Sequence, residues 1–261
     1  MSNSDNIRRV MLWAYPRSLS TAMEFSVAAL DKIHIFHELY NFAFHNGEDK
    51  PTDRKQSVLV EGFSYRCVKE TLEKDYPGKT AIFGKDIAYA LDNDYSRLPR
   101  GYQHTFIIRD PRKTIPSYYK AATECGIRFD EWLPSSGGVK QLYDLFVYVT
   151  EMLGQEAIII DAYDLCNNPR QILQKYCKKV GLQFQDKMLK WKPGNNDHWY
   201  ILYKKAFFTE AFKGAAMRSR EFLPMSYETV DMEGLPDYGV KQIEEAMPYY
   251  ELLYDKRITK E

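Results

Sequence analysis

The sequence predicts an α/β fold: one domain with a central parallel β-sheet flanked by helices, and a helical C-terminal third. Three observations predict it. Short apolar runs alternate with stretches of helical length, as βαβ units require. Two of the runs, Thr105–Ile108 and Ala157–Ile160, are β-rich and apolar on both faces, the pattern of strands inside a parallel sheet. After Lys190 the strand signals cease.

The elements follow in order. Val10–Ala14 is a buried strand that stops at Tyr15-Pro16, and Ser20–Leu30 carries the apolar residues of a mostly buried helix. Ile33–Phe36, Val58–Val60 and Thr80–Phe83 are further predicted strands ahead of the two already named. Predicted helices cover Tyr65–Lys74, Pro111–Thr123, Val139–Leu153 and Pro169–Val180, then Asn196–Phe212 and Val240–Tyr254. Arg218–Tyr238, with Pro224, Gly234 and Pro236, reads as loop, and so does the charged stretch GEDKPTDRK at Gly47–Lys55. No repeat or linker interrupts the chain, so a single domain over 1–261 is expected.

Lys plus Arg and Asp plus Glu each count 36, a formal net charge of zero. That balance argues against nucleic-acid and acidic-membrane partners, which call for a basic surplus, so any anion site is local. The four cysteines Cys67, Cys125, Cys166 and Cys177 form no CxxC pair; they fit reduced thiols better than a zinc site or a disulfide framework. A polar N-terminus without an apolar core and the lack of a long apolar run predict a cytoplasmic protein with no membrane span.

Two segments carry chemistry. Tyr15-Pro16-Arg17-Ser18-Leu19-Ser20-Thr21 lies between a strand and a helix, where the free N–H groups and positive dipole end of the helix meet an anion. Ser18, Ser20 and Thr21 add hydroxyls, and Arg17 a permanent forked cation. The segment is not a Walker A loop, which needs GxxxxGK[ST]; the lysine and the magnesium ligand for ATP are missing. In the second segment, Phe106 to Lys120, Arg109 leaves the carboxyl end of a strand, the edge where open α/β sheets bind ligands. Asp110 caps the next helix, Pro111 fits its first turn, and Ser117 lies about two turns along, within reach of an anion held by Arg109. Two anion sites on one sheet edge suggest a ligand with two separated anionic groups.

These segments resemble the signatures of sulfotransferases that use 3′-phosphoadenosine 5′-phosphosulfate (PAPS), namely YPKSGT or PRSxST followed by RDPRxxxxSxY. The resemblance implies a P-loop-like sulfotransferase fold and PAPS as sulfuryl donor. It also implies that Arg17, Ser18, Leu19, Ser20 and Thr21 hold the 5′ end and that Arg109 and Ser117 hold the 3′-phosphate. Leu19 departs from the glycine of the cytosolic enzymes. A third family segment, closing over the nucleotide, corresponds by position to Lys213–Phe222, with Arg218, Ser219 and Arg220 as its candidate contacts.

Sulfuryl transfer needs negative charge to be stabilised as the nucleotide departs, a role for Arg17, and a base when the acceptor is a hydroxyl. No metal is required. The base candidates are Asp86, His37, Glu38, His45 and His104. Asp86 leads, because it follows a strand on the edge that bears Arg17 and Arg109; His104 precedes its strand. The expected function is sulfuryl transfer to a hydroxyl or amine of a small-molecule acceptor. The competing expectations are a small-molecule kinase and a non-catalytic nucleotide-binding relative.

Overall fold

The structure, a computed structural model, describes residues 7–51, 58–128, 133–194, 199, 209–226, 232 and 234–260. Five parallel strands, β1 (Arg8–Ala14), β2 (Ile33–His37), β3 (Ala81–Ile87), β4 (Gln103–Ile108) and β5 (Ile158–Asp161), form one sheet in the order β2-β3-β1-β4-β5. β1 is central, paired from Arg8↔Ala81 to Ala14↔Ile87 on one side and from Val10↔Gln103 to Trp13↔Phe106 on the other.

The strand period of two divides the core between the sheet's faces. Val10, Leu12 and Ala14 of β1 pack with helix α1 (Ser20–Ala28) and the chain around Ile172–Tyr176. Met11 and Trp13 point the other way, toward Ile115, Leu142 and Ile243. All these β1 residues are buried, so a large-to-small change such as Leu12→Ala is expected to cost about 2–5 kcal/mol.

The remaining helices are α2 (Leu39–Asn46), α3 (Tyr65–Glu73), α4 (Pro111–Glu124), α5 (Val139–Val147), α6 (Ala162–Asn167), α7 (Pro169–Val180), α8 (Thr209–Arg218) and α9 (Asp237–Tyr254). Helix α5 runs on into a π-helical turn at Tyr148–Met152.

Several boundaries differ from expectation for identifiable reasons. β3 runs four residues past Phe83 to Ile87, because Met11 lies over Gly84 and both Lys85 and Asp86 are buried with partners. Val58–Val60 is not a strand: Val58 N–H goes to the Asn46 side chain and Val60 N–H to the Asn46 carbonyl, with Val58 and Leu59 exposed. Ile87-Ala88-Tyr89-Ala90-Leu91 begins only a 3₁₀ turn. Most of the expected helix Asn196–Phe212 lies outside the described residues, while Thr209–Arg218 is helical to its end.

The order of the strands matters most for function. The chain goes from β1 to one side of the sheet and later returns to the other side with β4, so the loops after β1 and β4 meet at a topological switch point. That crevice, at the carboxyl ends of the strands, is where such sheets hold ligands.

Candidate active site

The loop after β1 is held in a fixed shape. The Tyr15 hydroxyl is buried and accepts from the Arg109 N–H at 2.7 Å, and it donates to the Arg109 carbonyl, so the loops after β1 and β4 are tied together. Arg17 and Leu19 both take left-handed backbone with φ 70°. A residue with a Cβ in that region is strained by roughly 1–2 kcal/mol. Leu19 thus adopts a backbone conformation that favours glycine, and it is the residue from which α1 starts. The first-turn N–H groups of α1 have no partners within the helix and face this loop.

Two arginines converge here. Arg17 Nε donates to Ser117 Oγ of α4 at 2.9 Å, and its Nη1 donates to the Phe212 carbonyl of α8. Arg109 Nη1 donates to the Arg17 carbonyl at 3.0 Å. Burial, and the charge of Arg109, lower the pKa of Arg17; burial lowers that of Arg109. Neither arginine ion-pairs with a described carboxylate. Ser18 Oγ and Arg109 Nε are buried polar atoms without a hydrogen-bond partner among the described residues. Desolvated cations beside orphaned donors are destabilising unless an anion meets them. The residues therefore fit an anionic ligand, and they border a cleft of about 400 Å³ lined by Arg17, Ser20, Thr21, Arg109, Phe222 and Leu223 among others.

Of the late segment, Ser219 lines this cleft, with its hydroxyl donating to the Ala216 carbonyl at 2.6 Å. Arg218 is exposed and paired with Glu210, and Arg220 is exposed; neither borders the cleft.

Asp86, the leading base candidate, is met by backbone N–H groups. Its Oδ2 accepts the Tyr40 N–H at 2.6 Å, and its Oδ1 accepts those of Asn41 at 2.9 Å and Ile87 at 2.8 Å. It caps α2 from a neighbouring strand, both oxygens engaged and the side chain fully buried. Burial pushes its pKa up to about 7 despite the three N–H donors. Geometry comes before pKa in choosing a base, and this carboxylate faces backbone rather than the cleft. His104 stands at the far edge of the sheet, where its Nδ1 accepts from Trp13 Nε1 at 3.0 Å. His45 lies in the last turn of α2.

The residues at the end of β2 are linked instead to a buried charged cluster. His37 Nδ1 is 2.6 Å from Glu24 Oε2 of α1, and His37 Nε2 meets Lys213 Nζ of α8. Glu38 pairs with Lys85 of β3 and, at 3.0 Å, with Lys213. Trp199 stacks on the His37 ring at 4.1 Å and donates from Nε1 to Glu24 Oε1 at 2.8 Å. Burial alone would raise the Glu38 pKa, but Lys213, Lys85 and His37 hold it well below the usual carboxylate range. Glu24 and Lys213 escaped sequence reasoning. Glu24 sits inside an apolar helix, and nothing in the local pattern shows that β2 and α8 converge on it.

Three comparisons with known proteins bear on this site. The sequence profile of the sulfotransferase domain family matches residues 8–252. Among curated proteins, the chain is 31% identical over 186 residues to the branched-chain-amino-acid aminotransferase-like protein 2 of Arabidopsis thaliana. The match covers 70% of this chain and 31% of that protein, so the chain spans about a third of the relative's length. Among solved structures, it resembles the sulfotransferase domain from the olefin synthase of Synechococcus PCC 7002, with a TM-score of 0.59 and 15% identity over 93% of this chain and 96% of that one. It also resembles a mouse sulfotransferase complexed with PAP, with a TM-score of 0.50 and 11% identity over 96% of this chain and 91% of that one. Those two likenesses are of fold.

Proposed function

The chain belongs to the sulfotransferase domain family, and from that premise we propose that it moves a sulfuryl group from PAPS to a hydroxyl or amine of a small-molecule acceptor. One observation carries the reading. Arg17 and Arg109, both desolvated, are joined at the switch point where Arg109 Nη1 donates to the Arg17 carbonyl, with Arg17 held in turn by Ser117, beside the orphaned Ser18 Oγ and Arg109 Nε. Such an arrangement suits a nucleotide with two anionic ends.

When bound, PAPS supplies the activated sulfuryl group. The loop after β1 and the α1 N-terminus hold its 5′ end through Ser18, Ser20, Thr21 and backbone N–H groups, with Leu19 setting the turn. Arg109 and Ser117 hold the 3′-phosphate. Arg17, between them, stabilises charge developing on the departing phosphate oxygen, as oriented donors do in other group transfers. Ser219 and Phe222 line the same cleft. Among the described residues no helix is long and apolar enough to cross a membrane. A small-molecule kinase is the poorer reading, since the loop lacks the Walker lysine and its Ser/Thr magnesium ligand.

The test is ligand-dependent melting. PAP, the product nucleotide, is expected to raise the melting temperature at submillimolar concentration, and ATP with magnesium far less. Equal shifts would overturn the donor assignment. Binding of PAP with no sulfuryl transfer from PAPS to any member of a hydroxyl- and amine-bearing metabolite library would favour a non-catalytic nucleotide-binding relative.

A further inference from the structure

We propose that the groove at the amino-terminal edge of the sheet, built on Arg8, is a second ligand site for a small non-aromatic anion with two or more negative charges, of the pyrophosphate or polycarboxylate kind. The groove has a volume of about 570 Å³ and is lined by Arg8, Arg9, Lys178 and Lys179, with the amides of Gln103 and Gln155. Four cations border it, and among the described residues no carboxylate does. In a chain of zero formal net charge such a concentration is local, not part of a generally basic surface.

Two of the four cations lack a partner. Lys179 pairs with Glu156, and Arg9 donates to the Leu72 carbonyl at 2.7 Å and the Lys74 carbonyl at 2.8 Å, with Asp75 at 3.5 Å. Arg8 and Lys178 are exposed and make no ion pair or side-chain hydrogen bond among the described residues. Most described arginines outside the nucleotide cleft do meet a carboxylate, as Arg66, Arg100 and Arg112 show. Arg8 is nonetheless held in place. Its guanidinium lies over Gly181, where a Cβ would stand 3.0 Å from Nε and where a φ of 72° favours glycine. Lys178 stands in the last turn of α7, which that glycine caps.

The lining also narrows the ligand. Tyr102 is buried, with the Arg9 guanidinium 5.8 Å from its ring centre, so it offers no open face on which a base could stack. The apolar residues Ile7 and Val180 are packed into the core and leave no pocket for a peptide's apolar anchor. A compact polyanion uses what is present, the fork of Arg8 and the ammonium of Lys178. Strand β1 runs from this groove to the loop that bears Arg17, seven residues or roughly 20 Å. The groove shares no lining residue with the nucleotide cleft. The two sites are therefore separate, and the second does not depend on which reaction the first performs.

Nitrogen-15 NMR of the full chain tests this, with inorganic pyrophosphate as the probe and PAP added first to fill the nucleotide cleft. The Gly181 amide is read in every protein. Pyrophosphate is expected to move it saturably with a midpoint on the order of 1 mM, the strength of two charge-assisted contacts. Methanesulfonate at equal ionic strength is expected to leave it in place. Arg8→Gln, which keeps much of the stem over Gly181, and Lys178→Gln, an exposed change, are each expected to weaken pyrophosphate binding roughly tenfold with the PAP-induced melting shift unchanged. Arg8→Lys is expected to recover part of the loss, since the charge persists without the fork. A response that stays linear to about 20 mM, or one that both glutamine variants retain within twofold, overturns the site, because the anion then meets the surface only by general screening.

Discussion

Arg17 Nε donates to Ser117 Oγ across 2.9 Å, although the two residues are 100 positions apart. The contact makes one site of two motifs that look separate in sequence. The resemblance assigns Ser117 to the 3′-phosphate with Arg109; in the structure its hydroxyl meets the arginine of the other motif. Ser117→Ala is therefore expected to weaken PAP binding roughly tenfold, the effect of one lost hydrogen bond to a charged group. Arg109→Ala is expected to weaken PAP by about 1.5–3 kcal/mol while leaving adenosine 5′-phosphate nearly unchanged. Calorimetry with both nucleotides checks this. Equal losses for both would place Arg109 at the 5′ end.

Asp86 yields a stability prediction. Its carboxylate receives three backbone N–H groups, whereas an amide has one accepting oxygen and turns its NH₂ toward the remaining donor. Asp86→Asn is expected to destabilise the protein by about 1–3 kcal/mol in urea unfolding. The sign of the pH effect also follows. The folded pKa is raised, from 3.8 to about 7, so the folded form holds a proton that the unfolded chain releases. The contribution of Asp86 is present below the unfolded value and is lost as pH rises from about 4 to 7. A variant of unchanged stability with turnover abolished would return Asp86 to the role of base.

His104 acts in the opposite sense. It is buried and accepts the Trp13 indole N–H, and burial pushes its pKa down to about 4. Between 6.5 and 4 the unfolded chain binds a proton that the folded form does not, so this contribution is lost as pH falls through that window. At about 1.36 kcal/mol per unit the loss reaches roughly 3 kcal/mol. His104→Gln keeps an acceptor for Trp13 and cannot be protonated. Its unfolding midpoint is expected to fall less between pH 6.5 and 4 than that of the unsubstituted chain. Parallel pH curves for the two proteins would show that His104 does not titrate in this way.

The sheet and the strand, loop and helix around Tyr15–Thr21 were legible because they depend on local pattern. Thr105–Ile108 is apolar on both faces, and Tyr15–Thr21 sits between strand and helix whatever surrounds it. What failed to show were features made across the fold. Helix α2 has no cap of its own in sequence, since its N–H groups are met by Asp86 of β3. For the same reason Asp86 looked like a free carboxylate at a sheet edge. The surroundings of His37 were hidden in the same way, since Trp199 and Lys213 reach it from more than 150 positions away and Glu24 from the preceding helix.

Arg17 separates charge from geometry. Its guanidinium spans two elements, giving Nε to Ser117 of α4 and Nη1 to the Phe212 carbonyl of α8, while its left-handed backbone shapes the loop. A lysine keeps the positive charge but presents a single ammonium, which cannot make both contacts with the fork geometry of arginine. Arg17→Lys is therefore expected to retain PAP binding within about threefold and to lower turnover roughly tenfold, since charge persists but its placement at the departing oxygen loosens. Arg17→Ala removes both and is expected to reduce turnover roughly 10²–10³-fold, the effect of losing an oriented donor to a developing anion. Single-turnover rates from PAPS, with PAP affinity measured beside them, separate the two losses. Should Arg17→Ala weaken PAP binding severely yet turn over at the normal rate once saturated, Arg17 is a binding residue for the ground state and contributes nothing specific to transfer.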